Sequence, residues 1–181
     1  DVLGSRGLGD VYKRQGVEYV IIGHSERRQY YNETNESVNA KVIKALEFDL
    51  KPIICVGESL EQRENGTTHE VLEEQVTKAF KDVNEEALKN IVVAYEPVWA
   101  IGTGKVASAE MADEACGFIR SLIAELYTKN VAENIRILYG GSVSTKSVDE
   151  LMAQPNIDGG LVGGASLKPD SFIELCNAAV K

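Results

Sequence analysis

A glutamate directly before a proline is the first feature of this sequence that could do chemistry. It lies in the stretch AYEPVWAIGTGK, where Glu96 and Pro97 follow an apolar run. A residue before proline is pushed into an extended conformation, so we expect Glu96 to end a β-strand at the carboxyl end of a sheet. In α/β folds that end is where ligands bind, and a carboxylate there can accept a proton from a substrate. The alternative is a surface glutamate that merely ends a strand.

The loop after this proline mixes bulky apolar residues with glycines. Such a segment can pivot at its ends and cover a site, which excludes water. Its end, Gly104-Lys105, also resembles that of a nucleotide-binding P-loop. We reject that alternative because Trp99 stands where the first glycine is needed and Val106 replaces the required Ser or Thr. The loop is therefore predicted to be a lid.

A histidine occupies a comparable place after an earlier apolar run. His24 lies in GHSERR, where a polar turn begins a helix. The positive end of a helix disfavours a second proton on an imidazole, and a neutral imidazole can donate a hydrogen bond to a carbonyl oxygen. The alternative is a structural histidine satisfied by backbone groups. The second histidine, His69, falls at a helix start and is expected to be solvated.

Two glycine-rich turns follow the last two apolar runs. YGGSV contains Gly140, Gly141 and Ser142, and LVGGASL contains Gly163 and Gly164. Glycine lets backbone N–H groups approach an anion closely, and a helix N-terminus adds a positive field. Each turn alone is more simply a tight turn that needs glycine. Because the two occur at successive strand ends, together they favour a phosphate-binding site.

Five apolar runs alternate with helical patterns and must position these residues. The runs are Val17–Ile22, Pro52–Val56, Ile91–Tyr95, Ile135–Tyr139 and Gly160–Val162. They are apolar on consecutive residues, which is typical of parallel strands buried on both faces. The helical patterns are Asn32–Asp49, Thr68–Val83, Met111–Leu126 (with Ser108 as N-cap), Ser147–Gln154 and Pro169–Val180. The alternation predicts an α/β fold, either a doubly wound sheet or a closed barrel.

Composition and charge exclude several classes of function. Among 181 residues, 19 are Lys or Arg and 28 are Asp or Glu, and the resulting net charge of −9 disfavours nucleic acid as a partner. The three cysteines are far apart and no Cys/His cluster occurs, so we expect neither a metal site nor disulfides. Free thiols suit a reducing, cytoplasmic location. No apolar run is long enough to span a membrane.

Residues 1–15, DVLGSRGLGDVYKRQ, do not fit the strand–helix pattern. They contain three glycines and neither a clear strand nor an amphipathic helix. A flexible native N-terminus is one interpretation, and a foreign or artefactual segment is the other. We favour the second, which leaves residues 16–181 as one domain.

Residues 16–181 resemble the triosephosphate isomerase family. GHSERR, YEPVWAIGTGK, YGGSV and LVGGASL match the signatures of that family in order. The resemblance implies a (β/α)8 TIM barrel, here an incomplete barrel of about five βα units. It also implies the interconversion of dihydroxyacetone phosphate and D-glyceraldehyde 3-phosphate in glycolysis and gluconeogenesis, without a cofactor. The implied partners are a small phosphorylated triose and, for the full-length family member, a second copy in a homodimer.

The resemblance also implies a role for each candidate residue. Glu96 matches the base that moves a proton between two carbons, and His24 matches the electrophile that polarises the carbonyl. Ser25 and Glu26 match residues that support this pair. The phosphate holders are Gly102, Ser142, Gly163 and Gly164, and the lid is 97–107.

The sequence departs from the family in its first part. The family's first strand bears an Asn-x-Lys motif whose lysine binds the substrate, and no such strand precedes residue 16. A full barrel needs about 250 residues. Three of eight units are therefore absent from these 181 residues, including the unit with the main dimer loop. We expect little activity from the chain by itself. Without the main dimer loop, the resemblance also gives no firm basis for expecting this chain to form a dimer. The alternatives are a non-catalytic phosphate-binding fragment and a pseudogene product.

Overall fold

The computed structural model describes residues 14–101 and 106–179, so most of the segment predicted to be foreign lies outside the described residues. Five parallel strands form one sheet whose spatial order follows the chain. The strands are β1 (Tyr19–Ile22), β2 (Lys51–Val56), β3 (Val92–Tyr95), β4 (Arg136–Tyr139) and β5 (Gly159–Gly160). The α/β architecture predicted from the sequence is confirmed, because helices connect successive parallel strands.

Eight α-helices lie within the described residues. They are α1 (Ser25–Tyr31), α2 (Asn35–Glu47), α3 (Leu60–Glu64), α4 (Thr68–Ala79), α5 (Ala109–Leu126), α6 (Lys129–Asn134), α7 (Val148–Met152) and α8 (Pro169–Ala178). Short 3₁₀ turns cover Glu85–Asn90, Val98–Ala100 and Gly164–Leu167. In that part of the chain, no helix has the length and apolar character that a membrane crossing requires.

The sequence pattern predicted that every strand would be buried on both faces, and this prediction is wrong for β1. Every residue of β3 is buried, and both of its neighbours pair with it in parallel. In β1, Tyr19 and Ile21 are exposed, with 44% and 46% of their surface accessible. β1 lies at one end of the sheet, so among the described residues it has a neighbouring strand on one side only.

One predicted helix begins three residues later than expected. The pattern favoured Asn32–Asp49, but Asn32 adopts a left-handed conformation with φ 52° and ends α1. The next helix then begins after Thr34, whose side chain accepts the amide N–H of Ser37 in a capping box. The helices α3 and α6 were missed because each has only five or six residues, too few for a period of 3.6 to show.

Two other expectations about the helices meet different outcomes. Ser108 is confirmed as the N-cap of α5, since its hydroxyl accepts the amide N–H of Met111 at 3.2 Å. His69 is exposed, as expected, but it is not merely solvated. Its ring stacks on Phe118 with 4.1 Å between ring centroids, and this contact joins α4 to α5.

Candidate active site

The carboxyl ends of β1 and β3 bring His24 and Glu96 together. β3 ends at Tyr95, as the predicted run does, and the amide N–H of the next residue, Glu96, still donates to the carbonyl of Val56 at 2.7 Å. The distance from His24 Nε2 to Glu96 Oε1 is 3.1 Å. The two residues that sequence reasoning singled out separately, 72 positions apart in the chain, are therefore in direct contact.

The backbone at the start of α1 fixes the orientation of both side chains. His24 is the N-cap of that helix, and its Nδ1 accepts the amide N–H of Glu26 at 3.3 Å. Because Nδ1 accepts, the proton of a neutral imidazole lies on Nε2, the nitrogen that faces Glu96. The other carboxylate oxygen, Oε2, accepts the amide N–H of Ser25 at 3.0 Å.

Glu96 is almost completely buried, with 2% of its surface exposed. Burial raises the pKa of the Glu96 carboxyl, because a charge is less stable away from water. His24, the amide N–H of Ser25 and Cys55 act in the opposite direction. A carboxyl with a raised pKa binds a proton more readily, and a hydrogen-bond donor lies beside it, which suits a group that accepts and returns protons.

A cavity of about 350 Å³ opens at this edge of the sheet. Its walls bring together His24, Glu96, Ser142, Gly163 and Gly164. These are five of the six site residues predicted from the sequence. The sixth, Gly102, lies outside the described residues.

The glycines around the cavity meet different steric demands. A Cβ at Gly140 would lie 2.9 Å from Cγ of Glu96, so glycine lets the turn after β4 lie this close to the Glu96 side chain. At Gly163 and Gly164, a Cβ would meet no atom of the described chain within 4 Å. Neither has a positive φ. Packing therefore does not require glycine at these two positions, whereas close approach of an anion to the backbone would.

The first residues of the predicted lid are anchored in the protein. Val98–Ala100 form a 3₁₀ turn, and Trp99 is buried with 8% of its surface exposed. Its indole N–H donates to Glu58 at 2.8 Å. Residues 102–105, the glycine-rich middle of the lid, lie outside the described residues.

Two charged residues near the site, the buried Glu58 and the half-buried Arg28, were missed from the sequence. Glu58 is fully buried and accepts hydrogen bonds from Tyr95, Trp99 and Arg63. Arg28 donates to the carbonyls of Gly23 and Cys55 at 2.8 and 3.3 Å. Glu58 could have been found, because it follows β2 as closely as His24 follows β1. Arg28 has no comparable signal in its local sequence.

The cysteines and acidic residues form no metal site in the part of the chain that the structure describes. Cys55 and Cys116 are buried free thiols, and Cys176 is an exposed free thiol. Burial raises the pKa of Cys55 and that of Cys116, so both remain protonated and are poor metal ligands.

The fold and the site together define a class of protein. It is an α/β protein whose parallel strands carry, at their carboxyl ends, a carboxylate and an imidazole beside a glycine-lined cavity. The family model described as Triosephosphate isomerase matches residues 9–179. The chain belongs to the triosephosphate isomerase family, and its sheet is part of a TIM barrel.

Individual relatives agree with the family match. The triosephosphate isomerase of Acetivibrio thermocellus is 60% identical over 164 residues, which cover 91% of this chain and 65% of the relative. Those of Ligilactobacillus salivarius and Alkaliphilus oremlandii are 54% and 55% identical, over 92% and 93% of this chain and 66% and 68% of their own lengths. The chain thus spans about two thirds of the length of these relatives.

Proposed function

We propose that this chain supplies the catalytic pair of a triose-phosphate isomerase, which interconverts dihydroxyacetone phosphate and D-glyceraldehyde 3-phosphate. The observation that carries the proposal is the 3.1 Å contact between His24 Nε2 and Glu96 Oε1 in the glycine-lined cavity. An aldose–ketose isomerisation needs a base that moves a proton between neighbouring carbons and a donor that polarises the carbonyl. The pair provides one of each.

Glu96 is the base in this proposal. Its carboxylate takes a proton from the carbon beside the carbonyl, and the resulting acid returns a proton to the neighbouring carbon. To complete the isomerisation, the hydroxyl oxygen loses its proton and becomes the new carbonyl, while the former carbonyl oxygen gains one. Burial raises its pKa and so strengthens it as a base, while the Ser25 amide holds one oxygen in place. The Oε1 atom, which faces the imidazole and the cavity, is then free to meet the substrate once His24 turns its donor to the substrate oxygen.

His24 is the electrophile. With Nδ1 occupied by the amide N–H of Glu26, the N–H on Nε2 is the group that can donate to the carbonyl oxygen. That hydrogen bond strengthens as negative charge develops on the oxygen in the enediolate. Ser25 and Glu26, which were expected to support the pair, act through their backbone N–H groups.

The phosphate of the substrate is held at the glycine-rich turns. Gly163 and Gly164 begin a 3₁₀ turn and leave open space beside their α-carbons. Ser142 lies on the neighbouring wall of the cavity, and Gly102 completes the set in this proposal. The lid, residues 97–107, would exclude water while the enediolate exists. The reaction belongs to central carbohydrate metabolism, and we propose a cytoplasmic location and a homodimer for the longer protein.

A chimera tests the proposal. Residues 16–181 are joined to the first third of the Acetivibrio thermocellus relative, which supplies the part of the barrel that lies outside this chain. We expect isomerase activity from the chimera and almost none from the 181-residue chain. In the chimera, Glu96→Gln should lower kcat by about 10²–10⁴-fold, the usual contribution of a general base. Glu47→Gln, at an exposed carboxylate of α2, is the matched control and should leave kcat unchanged.

A phosphate-binding fragment without catalysis is the second candidate. The open glycine turn favours it, since this part of the cavity needs neither Glu96 nor a closed barrel. Inorganic phosphate that binds the chain and protects it against unfolding, together with an inactive chimera, would support this candidate. An active chimera with the expected loss in Glu96→Gln would exclude it.

A further inference from the structure

Gln75 contacts the backbone next to the candidate base, although the proposed reaction does not use it. It lies on α4, 18 residues beyond Gly57 in the chain. The amide N–H of Gly57 donates to Gln75 Oε1 at 2.7 Å, and Gln75 Nε2 donates to the carbonyl of Gly57 at 3.1 Å. One side chain thus binds both polar backbone groups of one residue. A glutamine is suited to this because its amide carries a donor and an acceptor side by side.

Gly57 in turn lies directly against the backbone of Glu96. A Cβ at Gly57 would be 1.8 Å from the carbonyl oxygen of Glu96, so no side chain fits there. Two hydrogen bonds flank this contact. The amide N–H of Glu96 donates to Val56 at 2.7 Å, and that of Val98 donates to Glu58 at 3.1 Å. Beyond the last paired residues of β2 and β3, the two backbone segments therefore continue side by side.

The helix that carries Gln75 is fixed by the core. Leu72 and Val76, on either side of Gln75 in α4, are completely buried. Helix α4 contacts Gly57 through Gln75, and Gly57 contacts the backbone of Glu96. Gly57 has no side chain that could change its conformation to accommodate a movement of the helix. A close-packed arrangement of this kind transmits a shift in one part to the next.

We propose that Gln75 is a positioning residue for Glu96 and for the start of the lid. Its two hydrogen bonds hold Gly57 against the Glu96 backbone, and this contact fixes where the carboxylate emerges beside His24. The inference rests on the proposed function for the role of Glu96 in catalysis. The mechanical link itself does not depend on that function.

Two substitutions in the 181-residue chain separate the hydrogen bonds from the shape of the side chain. Gln75→Met keeps the length and removes both bonds. Gln75→Glu makes both bonds while its carboxyl is protonated, because a neutral carboxyl group is one donor and one acceptor. Once ionised, that carboxyl loses its donor and directs a negative charge at the Gly57 carbonyl. The readout is the hydrogen-exchange protection of the Glu96 and Val98 amides, measured by NMR at several pH values.

We expect Gln75→Met to lower the protection of both amides about tenfold, from the loss of two hydrogen bonds. Gln75→Glu should match the wild type in acid and Gln75→Met at higher pH. Asn39→Leu is the matched control, because Asn39 Nδ2 also binds two backbone carbonyls, those of Ala79 at the end of α4 and of Lys81 beyond it, and makes no hydrogen bond to Gly57. It should leave the protection of Glu96 and Val98 within about twofold of the wild type.

Three results would overturn the proposal. One is a Gln75→Met chain that loses protection at Gly57 but not at Glu96 and Val98. Another is an equal loss in Asn39→Leu. The third is a Gln75→Glu chain without the pH-dependent change, including one that stays unfolded in acid. An inactive chimera with the exchange pattern intact would contradict the proposed function and leave the mechanical link standing. In an active chimera, Gln75→Met should lower kcat and leave KM unchanged, because the phosphate turns are untouched.

Discussion

The fully buried carboxylate of Glu58 accepts the indole N–H of Trp99 at 2.8 Å. It also accepts the hydroxyl of Tyr95 and the guanidinium of Arg63, each at 3.1 Å. Arg63 lies over the Trp99 ring, 4.9 Å from its centroid. One carboxylate just after β2 thus fixes the last residue of β3 and the 3₁₀ turn Val98–Ala100, where the predicted lid begins.

Glu58→Gln should reduce stability although it preserves the shape of the side chain. The change replaces one acceptor oxygen by a donor group and removes the charge that strengthens three hydrogen bonds. We expect the free energy of unfolding to fall by about 1.5–3 kcal/mol, the usual value for hydrogen bonds to a charged group. Urea denaturation followed by circular dichroism measures this. Glu47→Gln is the exposed control, expected within about 0.5 kcal/mol of the wild type. Equal stability of the two variants would contradict a structural role for Glu58.

Glu96→Gln should be more stable than the wild type, and only at higher pH. Burial raises the pKa of Glu96 in the folded chain above its ordinary value of 4.5. Between the two pKa values the folded chain holds a proton that the unfolded chain has lost, so stability falls as the pH rises through that window. The variant cannot ionise and avoids this loss. The two proteins should have equal free energies of unfolding in acid below 4.5, with a difference that grows as the pH rises.

The measurement is chemical denaturation of both proteins across the acid to neutral range. A constant difference at all pH values would mean that Glu96 is not destabilised by ionisation. The Glu47→Gln variant, at an exposed side chain of α2, is the control and should stay within about 0.5 kcal/mol of the wild type.

Much of the site was predictable because its residues are marked by local chemistry. Pro97 fixes the conformation of the residue before it, which identified Glu96 as a strand end. His24 and the glycine turns stand directly after apolar runs. In each case the signal lies within a few neighbouring residues, and the parallel arrangement of strands then brings these points to one edge of the sheet.

The supporting residues could not be predicted in the same way. Glu58 meets Tyr95 and Trp99 across 37 and 41 residues, and Arg28 meets Cys55 across 27. Arg28 stands among other charged residues in the sequence, and nothing there distinguishes it from a solvated side chain. Glu58 is marked by its place after β2, but none of its partners follows from the local sequence. The boundary at Asn32 was missed because the left-handed conformation there is one that asparagine tolerates but does not require.

Gly140→Ala should destabilise the chain through a steric clash that Gly163→Ala does not create. The new methyl group at position 140 would lie 2.9 Å from Cγ of Glu96, a buried side chain with little room to move. We expect a loss of about 1–3 kcal/mol, as for other overpacked sites. At position 163 the methyl group would meet no described atom within 4 Å, so we expect no loss of stability from overpacking.

In the active chimera, Gly140→Ala and Gly163→Ala distinguish an effect on packing around the base from an effect on phosphate binding. Gly163→Ala should raise KM for the triose phosphate, because a methyl group would stand where the phosphate approaches the backbone. Gly140→Ala should mainly lower kcat, because it displaces the base. A Gly163→Ala chimera with unchanged KM would remove this turn from the proposed phosphate site.

The thiols test whether the chain by itself is packed as described. Cys55 and Cys116 are completely buried, and burial raises the pKa of Cys116 to about 12 and that of Cys55 still further from its ordinary value. A protonated, buried thiol does not attack a disulfide reagent, whereas the exposed Cys176 can. We expect one fast thiol per native chain with an aromatic disulfide reagent, three in denaturant, and none in native Cys176→Ser. Three fast thiols in the native chain would mean that Cys55 and Cys116 are accessible to the reagent in solution. The chain would then need the rest of the barrel in order to pack as described.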